Sequence, residues 1–479
     1  MTSTIKVDNI QKVSDGSNII KKCGSTITIG SSGQTVAVAC GATTSGMGRT
    51  GTVNWCTTAK TSPFTATNGT GFFVNTTSGV ITVTLPSSPS GGDIIAIKDY
   101  ARTFSCNKVT LCRNGSKLCG ACSNSDFTTK GLSATLIYVD NTKGWQLIND
   151  DATSQIGASF IQASGGTEST SGNFKIHTFT GSADFVVSSV GNTAGGGDKV
   201  SYMVVAGGAG TGDTGAGGAG GFREGRDSPI DSYTASPLAD ADSGLTVTAA
   251  TFPITVGAGG AKQANGSNSI FSSITSTGGG TGGANPATPN NKGAAGGSGG
   301  GGMQGASTTA PLRPAVGGAG NTPPTSPSQG NAGGDGAPGD NTGAGGGGGA
   351  TSVGGNVTGP NPAASGSNGV GGVGGNGAGT AINPGSGVGT PGPDGALRYY
   401  AGGGGGSHYG PPSYSGPNTP TAGGYGGGGN GGVWTVSPSP TLTGATSGTT
   451  NTGGGAGGVV GPSSTTGGSG IVIIRYKFQ

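Results

Sequence analysis

The sequence predicts an all-β protein with essentially no α-helix: small N-terminal β modules of sandwich or prism type, then a β platform carrying a lattice of polyglycine-II helices. Three observations lead there. Glycine supplies 110 and proline 26 of the 479 residues, and in a helix interior they cost about 1 and about 3 kcal/mol each. The glycine is uneven, with 22 in residues 1–190 and 88 in residues 191–479. In the glycine-poor part, apolar residues come in short alternating runs closed by Gly, Pro or Asn, the pattern of half-buried strands.

Charge narrows the function classes. The chain carries 23 Lys+Arg against 20 Asp+Glu, a net charge of +3. That balance is too small and too scattered to draw nucleic acid or an anionic membrane. Between Ser243 and Gly470 the charged residues are Lys262, Lys292, Arg313, Asp335, Asp340, Asp394 and Arg398. Two histidines in the whole chain leave little material for acid–base or metal chemistry, so no catalysis and no cofactor are expected. No apolar run reaches the 18 residues needed to cross a bilayer. The opening MTSTIKVDNIQKVSDGS lacks the basic flank and apolar core of a signal peptide.

The elements follow in order. Residues 1–24 form an N-terminal segment. Residues 25–60 read as a β-repeat or prism segment, where STITIG alternates Thr with Ile. Residues 61–150 read as a sandwich-like module: TVTL closes on Pro86, GGDIIAIKDY opens on a Gly-Gly turn, and LSATLIYVD and GWQLIND bracket an Asn-Thr-Lys hairpin. Residues 151–174 read as a linker. Residues 175–479 are the glycine-rich domain, with platform strands in 175–208, 245–260 and 468–479 and a lattice with loops in 209–244 and 261–467. The closing GSGIVIIRYKF is too apolar to stay uncovered and is expected to pair beside SYMVV.

All seven cysteines (Cys23, Cys40, Cys56, Cys106, Cys112, Cys119, Cys122) lie in the first 122 residues. In a reducing cytosol they stay thiols. Cys119-Gly-Ala-Cys122 has the C-x2-C spacing of a zinc knuckle, so Cys106, Cys112, Cys119 and Cys122 are an alternative metal set. A disulfide is a second alternative, and small buried hydrophobes in a narrow β core the favoured reading.

A tract that is 30% glycine suits two states. It is either disordered, because it cannot offset its ordering entropy, or a lattice of threefold extended helices. Such a helix has no internal hydrogen bonds and points its amides outward in three directions, and buried amides need partners. Neighbouring helices supply them, and only glycine permits that approach on every side. The interruptions favour the lattice. GGVGGNGAG (Gly371–Gly379) and GGAGG (Gly217–Gly221) put Val, Asn or Ala at near-threefold positions suited to an outer face. Gly293–Met303 reads as one rod of 9–11 residues, about 30 Å long at ~3.1 Å per residue. Pro-rich breaks at Asn285–Asn291, Asn321–Asn331, Gly359–Gly369, Gly389–Gly395 and Tyr409–Gly424 return the chain.

These residues also carry a resemblance. STIKVDNIQ, TVNWCTTAKTSPFTATNGTGFF and the run from GTGFFVNTTSGVITVTLP to GWQLIND resemble β modules of tail fibres and other virion appendages of phages of marine bacteria. HTFTGSADF, YMVVAGG, GGAGGFREGR, FPITVGAGG and GSGIVIIRYKF, in that order, resemble the glycine-rich domain of phage tail-fibre adhesins. The resemblance implies a virion protein assembled in the host cytoplasm and attached to the particle through residues 1–24. It also implies a homotrimer, and C-terminal loops that meet a bacterial surface glycan or outer-membrane protein. Two alternatives stand beside it: a decorative capsid or neck fibre, and a fibre-borne polysaccharide depolymerase.

Receptors of that kind are met by aromatic faces on rigidly held loops. The ring-rich run holds Tyr399, Tyr400, His408, Tyr409, Tyr414, Tyr425 and Trp434. His408, Tyr409, Tyr414, Tyr425 and Tyr400 are the candidate receptor-binding residues, centred on the loop Ser407–Pro420. The alternative is that Tyr399, Tyr400 and Trp434 cap the lattice as a satellite core. Three other patterns are weighed and set lower. Gly210, Gly212 and Gly215 spell GxGxxG with Asp231 about twenty residues on, but no amphipathic helix follows to receive a pyrophosphate. Asp335 and Asp340 are the close carboxylate pair a depolymerase would need. Arg223, Glu224, Arg226 and Asp227 are expected to form a salt-bridge cluster.

Overall fold

The computed structural model describes residues 9–11, 18–23, 26–29, 53–148, 158–240, 244–284, 291–304, 315–337, 343–358, 369–385, 387–393, 395–410, 419–435 and 441–479. The chain is all-β, and its helical content among these residues is a single 3-10 turn at Thr193–Gly195. The first sheet is antiparallel, in the order Asn9–Gln11, Asn18–Cys23, Thr26–Ile29. Most of the expected prism segment, including Cys40, lies outside the described residues.

Residues 53–148 are a two-sheet module with wound connectivity. Asn54–Lys60, Thr70–Val74 and Ile94–Asp99 run parallel in one sheet, while the intervening Phe64–Thr65, Ile81–Thr84 and Val109–Cys112 run parallel in the other. Each pair is therefore one coil around a common interior. Ser125–Phe127 closes the second sheet, and the hairpin Ser133–Tyr138/Trp145–Leu147 closes the first, both antiparallel. Alternation aims Phe72, Val74, Ile95, Ile97 and Leu136 inward to meet Ile81, Val83, Val109, Leu111 and Phe127. The expected strands and hairpin are present. The coil connectivity is not written in the strand pattern, because alternation names a face but not a neighbour.

The described part of the expected linker, residues 158–174, belongs to the platform. Gln162–Ser164 edges a five-stranded sheet continued by Ala183–Ser189, Thr251–Thr255, Ser269–Phe271 and Ile274–Ser276. Thr167–Ser171 edges a second sheet, followed by Phe174–Phe179, Ile471–Lys477, Lys199–Val205, Phe222–Gly225 and Ala239–Asp240. The last strand does pair beside SYMVV, with Val205 opposite Ile471 and Ser201 opposite Arg475. One face of this sheet (Tyr202, Val204, Val472, Ile474) meets Phe185, Val187, Ile254 and Phe271. Its other face (Met203, Val205, Ile471, Ile473) meets Ala219, Ala350, Ala378, Ile382, Tyr400 and Ala401. Burial on both faces is why these two central strands are apolar throughout rather than alternating.

Beyond the platform the chain forms a lattice with a period of three. The amides of Ala206, Ala209 and Gly212 donate to the carbonyls of Gly221, Gly218 and Gly215; those of Gly207 and Gly210 to Ser267 and Ala264; those of Gly208 and Thr211 to Gly468 and Thr465. An interior rod thus shows three faces, each visited every third residue by a partner that also steps by three. The rod 344–350 does so with every amide bonded at 2.8–3.0 Å, to Ser407, Gly404 and Ala401, to Gly302 and Gly299, and to Gly355 and Ser352. The rods are shorter than expected. Gly300 donates to Ala294, and Met303 to Asn291, so 291–303 reverses near its middle and forms two rods. A seven-residue rod at ~3.1 Å per residue is about 20 Å long. Val373 and Asn376 face outward as expected, whereas Ala219 and Ala378 are buried. An alanine methyl is small enough for the interior where it faces another side chain.

Candidate functional site

Rods leave the platform and return to it alternately, so the lattice has a near end and a far end. Strand Lys199–Val205 feeds the outgoing rod 206–212, and the returning rod 216–221 feeds Phe222–Gly225. At the far end Asp213 donates its amide to Gly283, Ser407 to Thr214, Ala337 to Gly343, and Gln304 to the Thr214 hydroxyl. Pairs Thr358–Val370 and Gly343–His408 lie there too. The residues flanking 285–290, 305–314, 338–342, 359–368, 411–418 and 436–440 are therefore all far-end residues. Asn321–Asn331 and Gly389–Gly395, read as equivalent breaks, are at the near end. There the Gln329 carbonyl accepts from Phe222 and its side chain accepts from Thr277.

The described far end is tied together by side chains. The Lys262 ammonium pairs with the Asp213 carboxylate at 3.4 Å and donates to the carbonyls of Gly461 and Ser463 at 3.5 and 3.3 Å. Gln263 donates to the same carboxylate at 3.2 Å. Three far-end turns are thereby locked to one another. A small sheet completes this end, with His408–Gly410 parallel to Val433–Thr435 and Thr441–Thr443 antiparallel to the latter. The half-exposed Trp434 rests over Gly461, where a β-carbon would sit 3.3 Å from the indole.

The candidate residues fall apart into two groups. Tyr400 is 0% exposed in the platform core, which leaves its ring no surface to offer a receptor. Tyr425 is exposed beside Tyr399, ring centroids 6.2 Å apart, but this pair sits at the near end. His408 is at the far end, yet it is 1% exposed, its Nδ1 3.3 Å from the Thr421 hydroxyl. Burial pushes its imidazole pKa below the ordinary value. It is therefore an interior group and not a contact residue. The rod 402–407 separates the two groups by about 19 Å at the ~3.1 Å rise, which is why neighbours in sequence part company. The Tyr409 side chain and all of Tyr414 lie outside the described residues. The satellite-core alternative holds for Tyr400 and fails for Trp434, which is at the opposite end.

The other patterns have structural roles. Gly210, Gly212 and Gly215 belong to a rod and its turn, and Asp231 is buried against Arg475, Nε to Oδ2 3.0 Å. Arg223, Glu224, Arg226 and Asp227 form no salt-bridge cluster among the described residues. Glu224 is buried, accepts from the Ser236 amide and the Thr380 hydroxyl at 2.9 and 2.6 Å, and burial raises its pKa. Asp335 accepts from the Gly317 amide at 2.8 Å and so caps a lattice edge; Asp340 lies outside the described residues. No three His, Cys, Asp or Glu side chains converge among the described residues, which removes the zinc reading of Cys106, Cys112, Cys119 and Cys122. None of those four, nor Cys56, is joined in a disulfide. Cys56 and Cys119 pack against the module core, whereas Cys106 and Cys122 are exposed, so the filler reading covers only part of the set. The Asp213–Lys262 tie escaped the sequence reading because its members are far apart along the chain in turns without a shared motif. No protein-family model and no curated protein matches the chain.

Proposed function

We propose that this chain is a non-enzymatic structural appendage of a phage virion, a tail fibre whose N-terminal residues bind other virion proteins. Its glycine lattice is a stiff pedestal, and its far-end loops meet a bacterial surface glycan or outer-membrane protein. The observation that carries this reading is the alternation of the rods, which brings the flanks of six loop segments to the end opposite the platform. Rods bonded on three faces hold that end in place without a hydrophobic interior, and the Lys262 tie limits its spread. Loops presented on a rigid scaffold are where binding residues concentrate. A homotrimer, by analogy with such fibres, multiplies weak contacts into avidity.

Purified protein should bind host cells and compete with infection, and deletion of Ser407–Pro420 should abolish both. Retained binding by the folded deletion variant would refute the choice of tip. Release of oligosaccharides from host polysaccharide would refute the non-enzymatic reading.

A further inference from the structure

The wound module carries a row of aromatic rings on its outer face, half-buried at Phe73 and exposed at both ends. Trp55 stands in register with Gly71 on the neighbouring strand. Its indole lies over the Gly71 backbone, where a β-carbon would fall 2.7 Å from the ring. Phe73, two residues along, points to the same face, away from the core residues Phe72 and Val74. Its centroid is 5.0 Å from that of Trp55, and Tyr100 follows 6.3 Å from Phe73. Trp55 is 42% and Tyr100 59% exposed, so the row is not explained as core.

One end of the row is cationic. Lys98 is the in-register neighbour of Phe73 and donates to the Gly131 carbonyl at 2.6 Å. The Arg102 guanidinium lies against the same glycine, 3.3 Å from where its β-carbon would be, and exposed Lys130 precedes it. Asp99, beside Lys98 in sequence, is turned inward and accepts the amides of Thr103, Phe104 and Gly131.

We propose that Trp55, Phe73 and Tyr100, with Lys98, Arg102 and Lys130, form a binding face for an acidic polysaccharide. Sugar rings set their C–H faces on the electron-rich faces of aromatic rings, and the carboxylates of uronic acid units pair with Arg and Lys. The tilts along the row, 38° and then 77°, suit successive puckered sugars better than a run of parallel-stacked nucleobases. Cations gathered at one end give no track for a phosphate backbone. The face is independent of whatever the far end of the lattice contacts.

The test is calorimetric titration of the full chain with polygalacturonate and alginate oligosaccharides, with dextran and an oligo-dT strand as controls. The expected result is polyuronate binding that weakens with salt and falls at least tenfold in Trp55→Ala and in Tyr100→Ala, with an unchanged melting temperature in the latter. Arg102→Gln should flatten the salt dependence. Absence of polyuronate binding, indifference to Tyr100→Ala, or tighter binding of oligo-dT would overturn the proposal. So would sedimentation showing that Tyr100→Ala splits an oligomer, because the row would then be an interface between copies.

Discussion

Gly347 and Gly217 stand so close that a β-carbon on the first would clash with the carbonyl oxygen of the second. The Gly347 amide meanwhile donates to Gly404 at 2.8 Å. One residue is thus held on two flanks by backbone alone, and the cohesion of the lattice is many repeats of this relationship. Gly347→Ala must push two rods apart, and overpacking of that kind costs about 1–3 kcal/mol. The exposed Val373→Ala should stay within about 0.5 kcal/mol. Urea unfolding of the two variants side by side checks the contrast.

The seam between platform strands and their covering loop rests on a buried ion pair. The Arg475 Nε donates to both carboxylate oxygens of Asp231 at 3.1 and 3.0 Å, Ser201 donates to the same carboxylate, and the guanidinium lies 4.5 Å from the Phe174 ring centroid. Removing one partner strands the other charge inside. Asp231→Ala is expected to cost about 3–5 kcal/mol, read from the shift in urea midpoint. The double replacement Asp231→Leu/Arg475→Met should cost less than the single.

The strands were legible because alternation is a property of consecutive residues, and the apolar closing strand announced that it needed a sheet to cover it. The lattice was legible as a class of structure, since glycine and outward amides leave few other options. Its routing was not. Glycine carries no side chain to mark one neighbour from another, so nothing in Gly293–Met303 signals the reversal in its middle. The candidate residues part company for the same reason: Tyr400 and His408 look adjacent, and only the direction of the rod between them separates the platform end from the far end. The Trp55–Phe73–Tyr100 row was invisible because its rings come from different coils of the module.

Two buried groups give opposite pH dependences. Burial raises the Glu224 pKa in the folded state, so above the unfolded carboxylate pKa the unfolded chain binds fewer protons and stability falls as pH rises toward the folded pKa. Burial lowers the pKa of His408, so the unfolded chain binds more protons below about pH 6.5 and stability falls as pH drops through that window toward the folded pKa. Glu224→Gln should therefore remove part of the decline on the alkaline side of pH 4.5, and His408→Gln part of the decline below pH 6.5. Melting temperatures of both variants between pH 4 and 8 would show it; identical profiles for variant and parent would contradict the assignment.

Thiol chemistry should separate by exposure. Cys106 and Cys122 are exposed, whereas Cys56, Cys112 and Cys119 are half-buried. Of these five, a thiol reagent such as dithionitrobenzoate should label the first two fastest in the folded protein. A chelator should leave the labelling of Cys106, Cys112, Cys119 and Cys122 unchanged, because these four do not converge on a metal site.

Amide hydrogen exchange across rods 206–212, 344–350 and 402–407 tests the central claim most directly, because cohesion here is entirely a matter of amides. Bonded on three faces, these glycines should exchange orders of magnitude more slowly than free peptide and open together, in one cooperative unit. Exchange at free-peptide rates in the same rods would mean that the lattice does not hold, and that no pedestal carries the far-end loops.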